Sequence, residues 1–172
     1  LSENKNIEVI NAGIPAITSF HESKLIKEKL IHYKPDLIIV YDGMNDVGCK
    51  MREHITKDHV ATKEVRIKSC GAYSPDNYDK IYAERWSEIC KLGEKNGFET
   101  VFILQPIPHF DKILTDQELQ SYFLRSEQPH YTYVHESFAQ QLGSIENHCA
   151  KAADFRGIFD YYLQPIYFDY AH

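Results

Sequence analysis

The stretch that decides the fold is LIIVYDGMND, residues 37–46. Its first half is an apolar run of strand length, rich in β-branched residues, and it predicts a strand buried on both faces. Its second half is a turn, the position at which α/β proteins place their functional groups. Gly43 allows a sharp turn there, and Asn45 can direct a side-chain amide into the crevice above the sheet. We therefore expect a functional site at the carboxyl end of this strand.

Strand and helix patterns alternate on both sides of this stretch. Residues 7–11 (IEVIN) and 100–104 (TVFIL) predict strands. The spacing of Ser19 and Glu22 predicts a capping box that opens a helix before the strand at residues 37–41. Residues 78–97 predict another helix, ended by an Asn-Gly pair. The alternation predicts an α/β domain with a parallel sheet.

Two more elements are predicted in the last third of the chain. Apolar residues recurring at the helical period predict one helix of five turns. They are Val134, Phe138, Leu142, Ile145, Cys149 and Ala152. Residues 157–159 then lead into a last short strand.

Length and composition narrow the classes of function. With 172 residues, 43% of them hydrophobic, the chain suits a single domain over residues 1–172. The net charge of −6 and the lack of a basic stripe argue against a nucleic-acid partner. Residues 48–77 are polar and aperiodic, so we expect an insertion over the site, outside the core. The chain begins at Leu1 rather than Met and stops at His172 without a closing element, so we expect a domain incomplete at both ends.

The four cysteines form no CxxC pair and do not predict a zinc site. Cys49 and Cys70 could be joined across the insertion in an oxidising compartment. Cys90 and Cys149 fall on predicted apolar helix faces, where we expect buried free thiols. The histidines are too loosely spaced to predict a metal site, and we expect no cofactor.

The chain ends with Asp169-Tyr170-Ala171-His172. A carboxylate three residues before an imidazole can bind the ring Nδ1–H and leave Nε2 free as a base. Residues 11–16 (NAGIPA) lie between a predicted strand and a helix, so backbone N–H groups there can face an oxyanion. Together with Asn45, these loops supply most of an acyl-transfer site, and they lack only a nucleophile.

Three ordered blocks of the chain resemble the SGNH (GDSL-type) hydrolases. Residues 11–19 (NAGIPAITS) resemble the glycine block of that family, Gly43-Met44-Asn45-Asp46 resembles its Gly-x-Asn-Asp block, and Asp169-Tyr170-Ala171-His172 resembles its Asp-x-x-His block. The Gly-Asp-Ser block with the nucleophilic serine does not occur in these residues. The resemblance implies that this serine lies upstream of Leu1, on a strand that fits between the strands at residues 7–11 and 37–41.

The resemblance also implies a role for each matching residue. Asn45 is expected to be the side-chain oxyanion donor, His172 the base, and Asp169 the carboxylate that orients it. Ala16 stands where the family usually has a glycine whose backbone N–H completes the oxyanion hole, and that donor is retained if φ at Ala16 is negative. The supporting turn residues are Gly13, Gly43 and Asp46.

The implied fold is flavodoxin-like, with three layers α/β/α around a parallel sheet that lacks its first strand and last helix. The implied activity is hydrolysis of a small-molecule ester or acylated carbohydrate by a Ser-His-Asp triad, and residues 1–172 alone are expected to be inactive. Two alternatives remain open. One is a non-catalytic binding module of the same fold, and the other is a nucleotide-binding doubly wound domain, although neither G-x-G-x-x-G nor G-x-x-x-x-G-K-[ST] occurs. Compartment and oligomeric state do not follow from the sequence.

Overall fold

The computed structural model describes residues 7–55, 63–71, 77–108, 111–122 and 128–167. Within these ranges no helix has the length and apolar character needed to cross a membrane. The elements, in chain order, are α1 (Ser19–Glu28), a 3₁₀ helix (Leu30–Tyr33), β1 (Leu37–Asp42), α2 (Met44–Ile55), α3 (Lys63–Cys70), α4 (Tyr78–Asn96), β2 (Glu99–Leu104), α5 (Asp116–Tyr122), α6 (Gln128–Ala139), α7 (Leu142–Glu146) and β3 (Lys151–Asp154).

The three strands form one open parallel sheet in the order β1-β2-β3. Leu37 pairs with Glu99, and Val101 pairs with Lys151. Because the strands are parallel, the connections that follow β1, β2 and β3 all leave the sheet at the same edge. The predicted α/β class with a parallel sheet is confirmed, and β1, β2 and α4 lie where the sequence predicted them.

The core lies between one face of the sheet and the helices α4 and α6. The ring of Tyr82 stacks on Phe138 with a centroid distance of 4.4 Å, and the ring of Trp86 lies 5.6 Å from that of Phe102. All four side chains are buried. Large aromatic rings contribute most of the buried apolar area in such a cluster, so this contact fixes both helices on the sheet.

The predicted strand at residues 7–11 is not part of the sheet. Ile7 and Val9 are 84% and 85% exposed, and the segment has no strand assignment. An apolar run with β propensity still needs a neighbouring strand for its backbone hydrogen bonds. Within the described residues β1 pairs with β2 alone, and residues 7–11 do not pair with its other edge.

The last third of the chain also differs from the prediction. The predicted five-turn helix is two helices, α6 and α7, and Ala152 lies in β3. The last strand is therefore residues 151–154, and residues 157–159 are in turns instead. Ile145 and Ala152 belong to the same core cluster. Apolar residues from successive elements that face one core can match helical spacing without sharing a helix.

Residues 48–77 contain more core than expected. The segment includes most of α2 and all of α3, and Cys49 and Cys70 are in the buried cluster, joined by a disulfide bond. A second disulfide joins Cys90 to Cys149, so the expectation of free thiols is wrong. A bond between residues 59 positions apart leaves no local pattern in the sequence. Whether residues 48–77 are an insertion relative to other proteins stays a prediction.

The disulfides can be tested by counting thiols. In denatured protein purified under oxidising conditions, we expect a thiol reagent to find no free thiol among the four cysteines. Replacing both Cys90 and Cys149 by alanine should lower the free energy of unfolding by about 4 kcal/mol, because the bond restricts a long loop of the unfolded chain. Two reactive thiols at Cys90 and Cys149 in the wild-type protein would contradict the assignment.

Candidate functional site

The turn after β1 requires a glycine at position 43. Gly43 has φ +141°, and a Cβ atom there would lie 2.8 Å from Cδ1 of Leu104 and 3.3 Å from Nε2 of His135. Both the backbone conformation and the lack of space exclude a larger residue. The chain then enters α2, which places Asn45 in the first helical turn with an exposed side chain. Within the described part of the chain, the amide of Asn45 makes no hydrogen bond and is free to bind a ligand.

The buried carboxylate of Asp46 connects this turn to the start of α1. Its Oδ2 accepts a hydrogen bond from the N–H of Ser19 at 2.7 Å, and its Oδ1 accepts one from the Ser19 hydroxyl at 2.5 Å. The predicted capping box of Ser19 and Glu22 is wrong, because Ser19 is the first helical residue and its hydroxyl donates to Asp46. The N-cap residue is Thr18, whose side chain makes no capping bond. A carboxylate from the first turn of α2 thus caps α1.

Two residues of α4 complete this network. The hydroxyl of Tyr78 donates to Oδ1 of Asp46 at 2.6 Å. Arg85 donates through Nη1 to the hydroxyl oxygens of Ser19 and Tyr78, each at 3.0 Å, and through Nη2 to the carbonyl of Cys70 at 2.6 Å. The positive guanidinium group therefore lies beside the Asp46 carboxylate and strengthens its hydrogen bonds. Nothing in the local sequence around Arg85 identified it as part of the site.

Ala16 adopts a left-handed backbone conformation, with φ +61°. The negative φ under which the donor was expected to be retained is therefore not found, and Ala16 instead takes a conformation that glycine adopts readily while still carrying its N–H. A residue with a Cβ atom pays about 1–2 kcal/mol for this conformation, and such strain persists where the surroundings enforce it. Ala16 is exposed, and within the described residues its N–H donates to no acceptor. By contrast, the N–H of Gly13 donates to Oδ1 of Asn11 at 3.0 Å and supports the loop.

The bond between Ser19 and Asp46 brings the two proposed oxyanion donors to the same edge of the sheet. Ala16 lies three residues before Ser19, and Asn45 is adjacent to Asp46. Three residues span at most about 11 Å. Ala16 and Asn45 therefore lie on two segments that a buried hydrogen bond joins, and their shared role as oxyanion donors stays a prediction.

Three carboxyl groups interact beneath these loops. Burial raises the pKa of Glu22, Asp42 and Asp46, and the charge of Asp46 raises those of Glu22 and Asp42 further. The pKa of Glu22 rises to about 8. Asp46 has several donors that stabilise a carboxylate, whereas Oδ2 of Asp42 is buried with no hydrogen-bond partner in the described part of the chain. Burial and the charge of Asp46 therefore favour the protonated forms of Asp42 and Glu22, whereas its donors favour the carboxylate form of Asp46.

A second buried carboxylate, that of Glu118, anchors the segment leading to the last block. Its Oε1 accepts hydrogen bonds from the N–H groups of Ile166 at 2.8 Å and Tyr167 at 3.0 Å. Its Oε2 accepts bonds from Nζ of Lys112 at 2.7 Å and the N–H of Thr115 at 2.8 Å. Although burial opposes ionisation, these donors hold the pKa of Glu118 well below its usual range.

The sequence around Glu118 carries a helix-start signal that is absent from the pattern used above. Thr115 and Glu118 have the spacing of a capping box, and the N–H of Glu118 donates back to Oγ1 of Thr115 at 3.3 Å, opening α5. The hydroxyl of Tyr167 also donates to the carbonyl of Ile107, just after β2. The segment before Asp169 is therefore fixed to the connection that follows β2. Asp169 and His172 themselves lie outside the described residues.

His135 lies behind the Gly43 turn, fully buried. Neither of its ring nitrogens has a hydrogen-bond partner in the described ranges. Burial lowers the pKa of His135 to about 3, and the nearby charge of Arg156 acts in the same direction. The ring is thus neutral and packs as a core residue. Among the described residues no group of three or more His, Cys, Asp or Glu side chains is arranged to hold a metal ion.

Comparison with known proteins finds no family model, no curated protein and no solved structure that matches this chain. The hydrolase assignment therefore remains a hypothesis drawn from the three sequence blocks.

The raised pKa of Glu22 predicts a pH-dependent stability. Folded Glu22 keeps a proton up to about pH 8, whereas the unfolded chain releases it near the ordinary value of 4.5. Its contribution is therefore complete below about pH 4.5 and is lost as the pH rises towards 8. We expect Glu22→Gln to raise the free energy of unfolding at pH 8 by on the order of 1 kcal/mol, with no gain at pH 4.5. Urea unfolding at both pH values measures this, with Glu84→Gln on the exposed face of α4 as control. If the free energy of unfolding changed equally in the two variants at both pH values, the raised pKa of Glu22 would be refuted.

The left-handed conformation of Ala16 predicts that glycine is better there. Ala16→Gly removes about 1–2 kcal/mol of backbone strain and adds about 0.5–1 kcal/mol of entropic cost. We therefore expect no loss and a gain of up to about 1.5 kcal/mol in the free energy of unfolding, measured by urea denaturation. The same substitution within a helix, Ala83→Gly in α4, should instead lower it by about 1 kcal/mol or more. A loss of stability at position 16 comparable to that at position 83 would exclude a strained Ala16.

Proposed function

We propose that this chain is part of an SGNH-type serine ester hydrolase. The observation that carries the proposal is the buried bond from the Ser19 N–H to the Asp46 carboxylate. It joins the loop of Ala16 to the turn of Asn45, the two positions that the family resemblance assigns to the oxyanion hole. An oxyanion hole needs donors that are already in place before charge develops, and a buried charge-assisted bond between the two loops supplies that rigidity.

The proposed reaction is acyl transfer to a serine followed by hydrolysis. His172, oriented by Asp169, accepts the proton of the serine hydroxyl as its oxygen attacks the ester carbonyl. The amide of Asn45 and the N–H of Ala16 donate to the oxygen as it becomes negative. His172 then protonates the departing alcohol, and the same residues direct water at the acyl-serine. We expect the serine upstream of Leu1, on a strand beside β1.

The proposed fold is the three-layer flavodoxin-like arrangement, and the uncovered surface of β1 supports it. Leu37, Ile39 and Tyr41 alternate along one face of β1 and are 47%, 63% and 55% exposed. Apolar side chains in strand alternation are suited to a covering layer, since parallel sheets are generally covered on both faces. The edge of β1 that has no partner among the described strands likewise suits a further parallel strand.

The direct test of the proposal is the role of Asn45. In the full-length protein that contains residues 1–172, we expect Asn45→Ala to lower kcat for p-nitrophenyl acetate by about 10²–10³ with little change in KM, because the donor acts mainly in the transition state. The matched control is Asn147→Ala, an exposed asparagine that follows α7, near the opposite end of the strands.

The outcomes separate the enzyme from a binding module. A large fall in kcat for Asn45→Ala, with Asn147→Ala unchanged, supports the hydrolase. Equal activity of both variants would remove Asn45 from the mechanism. A full-length protein that hydrolyses no ester would favour a non-catalytic module of the same fold.

A further inference from the structure

A positive charge, that of Arg85 on α4, contacts the network around Asp46. Its Nη1 donates to the hydroxyl oxygens of Ser19 and Tyr78, each at 3.0 Å. A guanidinium group can only donate hydrogen bonds, whereas a hydroxyl can both donate and accept. Both hydroxyls therefore accept from Arg85 and direct their own protons at Oδ1 of Asp46, at 2.5 Å from Ser19 and 2.6 Å from Tyr78. The guanidinium group thus sets the direction of every bond that leads to the carboxylate.

The guanidinium group is itself held in one position by further contacts. Its Nη2 donates to the carbonyl of Cys70 at 2.6 Å. Its Cζ lies 5.4 Å from the ring centre of Phe20 and 5.5 Å from that of Tyr78, within the range of cation–π contacts. Gly71 leaves the room that these contacts need, because a Cβ atom there would lie 2.7 Å from Nη2 of Arg85. A side chain locked in this way can hold other groups in place.

Arg85 also opposes the negative charges that interact with Asp46. Glu22 on α1 and Asp42 at the end of β1 are acidic neighbours, and burial raises the pKa of all three carboxyls. Hydrogen bonds from its donors, and then the charge of Arg85, act on the pKa of Asp46 in the opposite direction. Without Arg85, burial would meet weaker opposition, and Asp46 would take up a proton at a higher pH.

Other titratable groups on the elements around this network keep the same charge between about pH 6 and about pH 8. Burial raises the pKa of Tyr78 and Tyr82 on α4, so both stay neutral. Burial lowers the pKa of His135 on α6 to about 3, so that ring is neutral as well. Cys70 of α3 is in a disulfide and does not titrate. Lys50 of α2 is paired with an aspartate of α4 at 2.7 Å.

The network links Arg85 to both of the proposed oxyanion donors. Asp46 follows Asn45 directly, and Ser19 follows Ala16 by three residues. We propose that Arg85 is a positioning residue for the oxyanion hole, acting through two hydroxyl groups on the carboxylate that joins the donor loops. This inference rests on the proposed function, and it adds to the site a residue of α4 that none of the three sequence blocks contains.

Loss of the charge at position 85 would weaken the joint between the two loops in two ways. Each hydroxyl could turn its proton to another acceptor, and a protonated Asp46 would accept hydrogen bonds less strongly. Either change lets the two donors move relative to each other. A displacement of about 1 Å at a reacting centre can cost about 100-fold in rate. The loss should appear in kcat, because oxyanion donors act mainly in the transition state.

The experiment uses substitutions on α4 in the full-length protein. Arg85→Gln removes the charge and keeps a polar side chain, whereas Arg85→Lys keeps the charge with fewer donors. Tyr78→Phe removes one of the two hydroxyls through which Arg85 acts and retains the ring, which keeps the test decisive if Arg85→Gln does not fold. The control, Lys91→Gln, removes a positive charge from the exposed face of the same helix.

Two measurements are made on each variant. Values of kcat and KM for p-nitrophenyl acetate are determined at about pH 6 and about pH 8. Hydrogen exchange of the Ser19 amide, which donates to Asp46, is followed by NMR. The exchange rate reports on the joint between the loops without requiring any turnover.

We expect Arg85→Gln to lower kcat by about 10- to 100-fold at the lower pH, with little change in KM. The deficit should shrink at the higher pH, because Asp46 in the variant regains its negative charge as the pH rises. Tyr78→Phe should lower kcat with the same pH dependence. The Ser19 amide should exchange faster in both variants, Arg85→Lys should retain most of the activity and protection, and Lys91→Gln should match the wild-type protein.

Three results would overturn the inference. They are an unchanged kcat in Arg85→Gln, an unchanged exchange rate at Ser19, and a deficit that is equal at both pH values and in both substitutions of Arg85. The last pattern would mark general damage to the fold. Faster Ser19 exchange in Arg85→Gln, in a protein that hydrolyses no ester, would instead overturn the proposed function and leave Arg85 as the residue that holds the two loops together.

Discussion

The buried carboxylate of Asp46 accepts hydrogen bonds from the N–H and hydroxyl of Ser19 and from the hydroxyl of Tyr78. An ionised carboxylate is costly to bury without donors, by several kcal/mol. The start of α1, the Gly43 turn and the start of α4 therefore cannot separate without leaving a buried charge unpaired. The candidate site depends on this constraint, because Ala16 and Asn45 lie on two of the segments that it joins.

A second buried carboxylate acts at the same edge of the sheet. Glu118 and Lys112 form an ion pair with side chains that are each 1% exposed, and Glu118 also accepts the N–H groups of Ile166 and Tyr167. The two networks stabilise different segments of the chain in the same way. Each uses a carboxylate to satisfy backbone N–H groups that have no partner in a regular ladder. Loops on a parallel sheet are thereby given fixed positions without regular secondary structure.

Patterns of neighbouring residues predicted those elements whose stability is decided locally. The apolar β-branched run predicted β1, the run at residues 100–104 predicted β2, and the stripe of α4 together with Gly97 predicted that helix and its end. Gly43 was identified as a turn residue because few residues other than glycine tolerate its backbone conformation. The roles of Asp169 and His172 also come from the sequence alone, and they stay predictions.

What the sequence determined by itself was the α/β class, the strand β1 and the position of the turn that follows it, because hydrophobic period and glycine geometry act over a few residues. Only the tertiary structure decided which groups those loops bind. Ser19 and Asp46 are 27 positions apart, Glu118 and Ile166 are 48 apart, and Cys90 and Cys149 are 59 apart. The same reason explains why residues 7–11 form no strand, since β pairing needs a neighbour as well as a propensity. Contacts between distant residues form only when the whole chain packs, and no local pattern encodes the choice of partner.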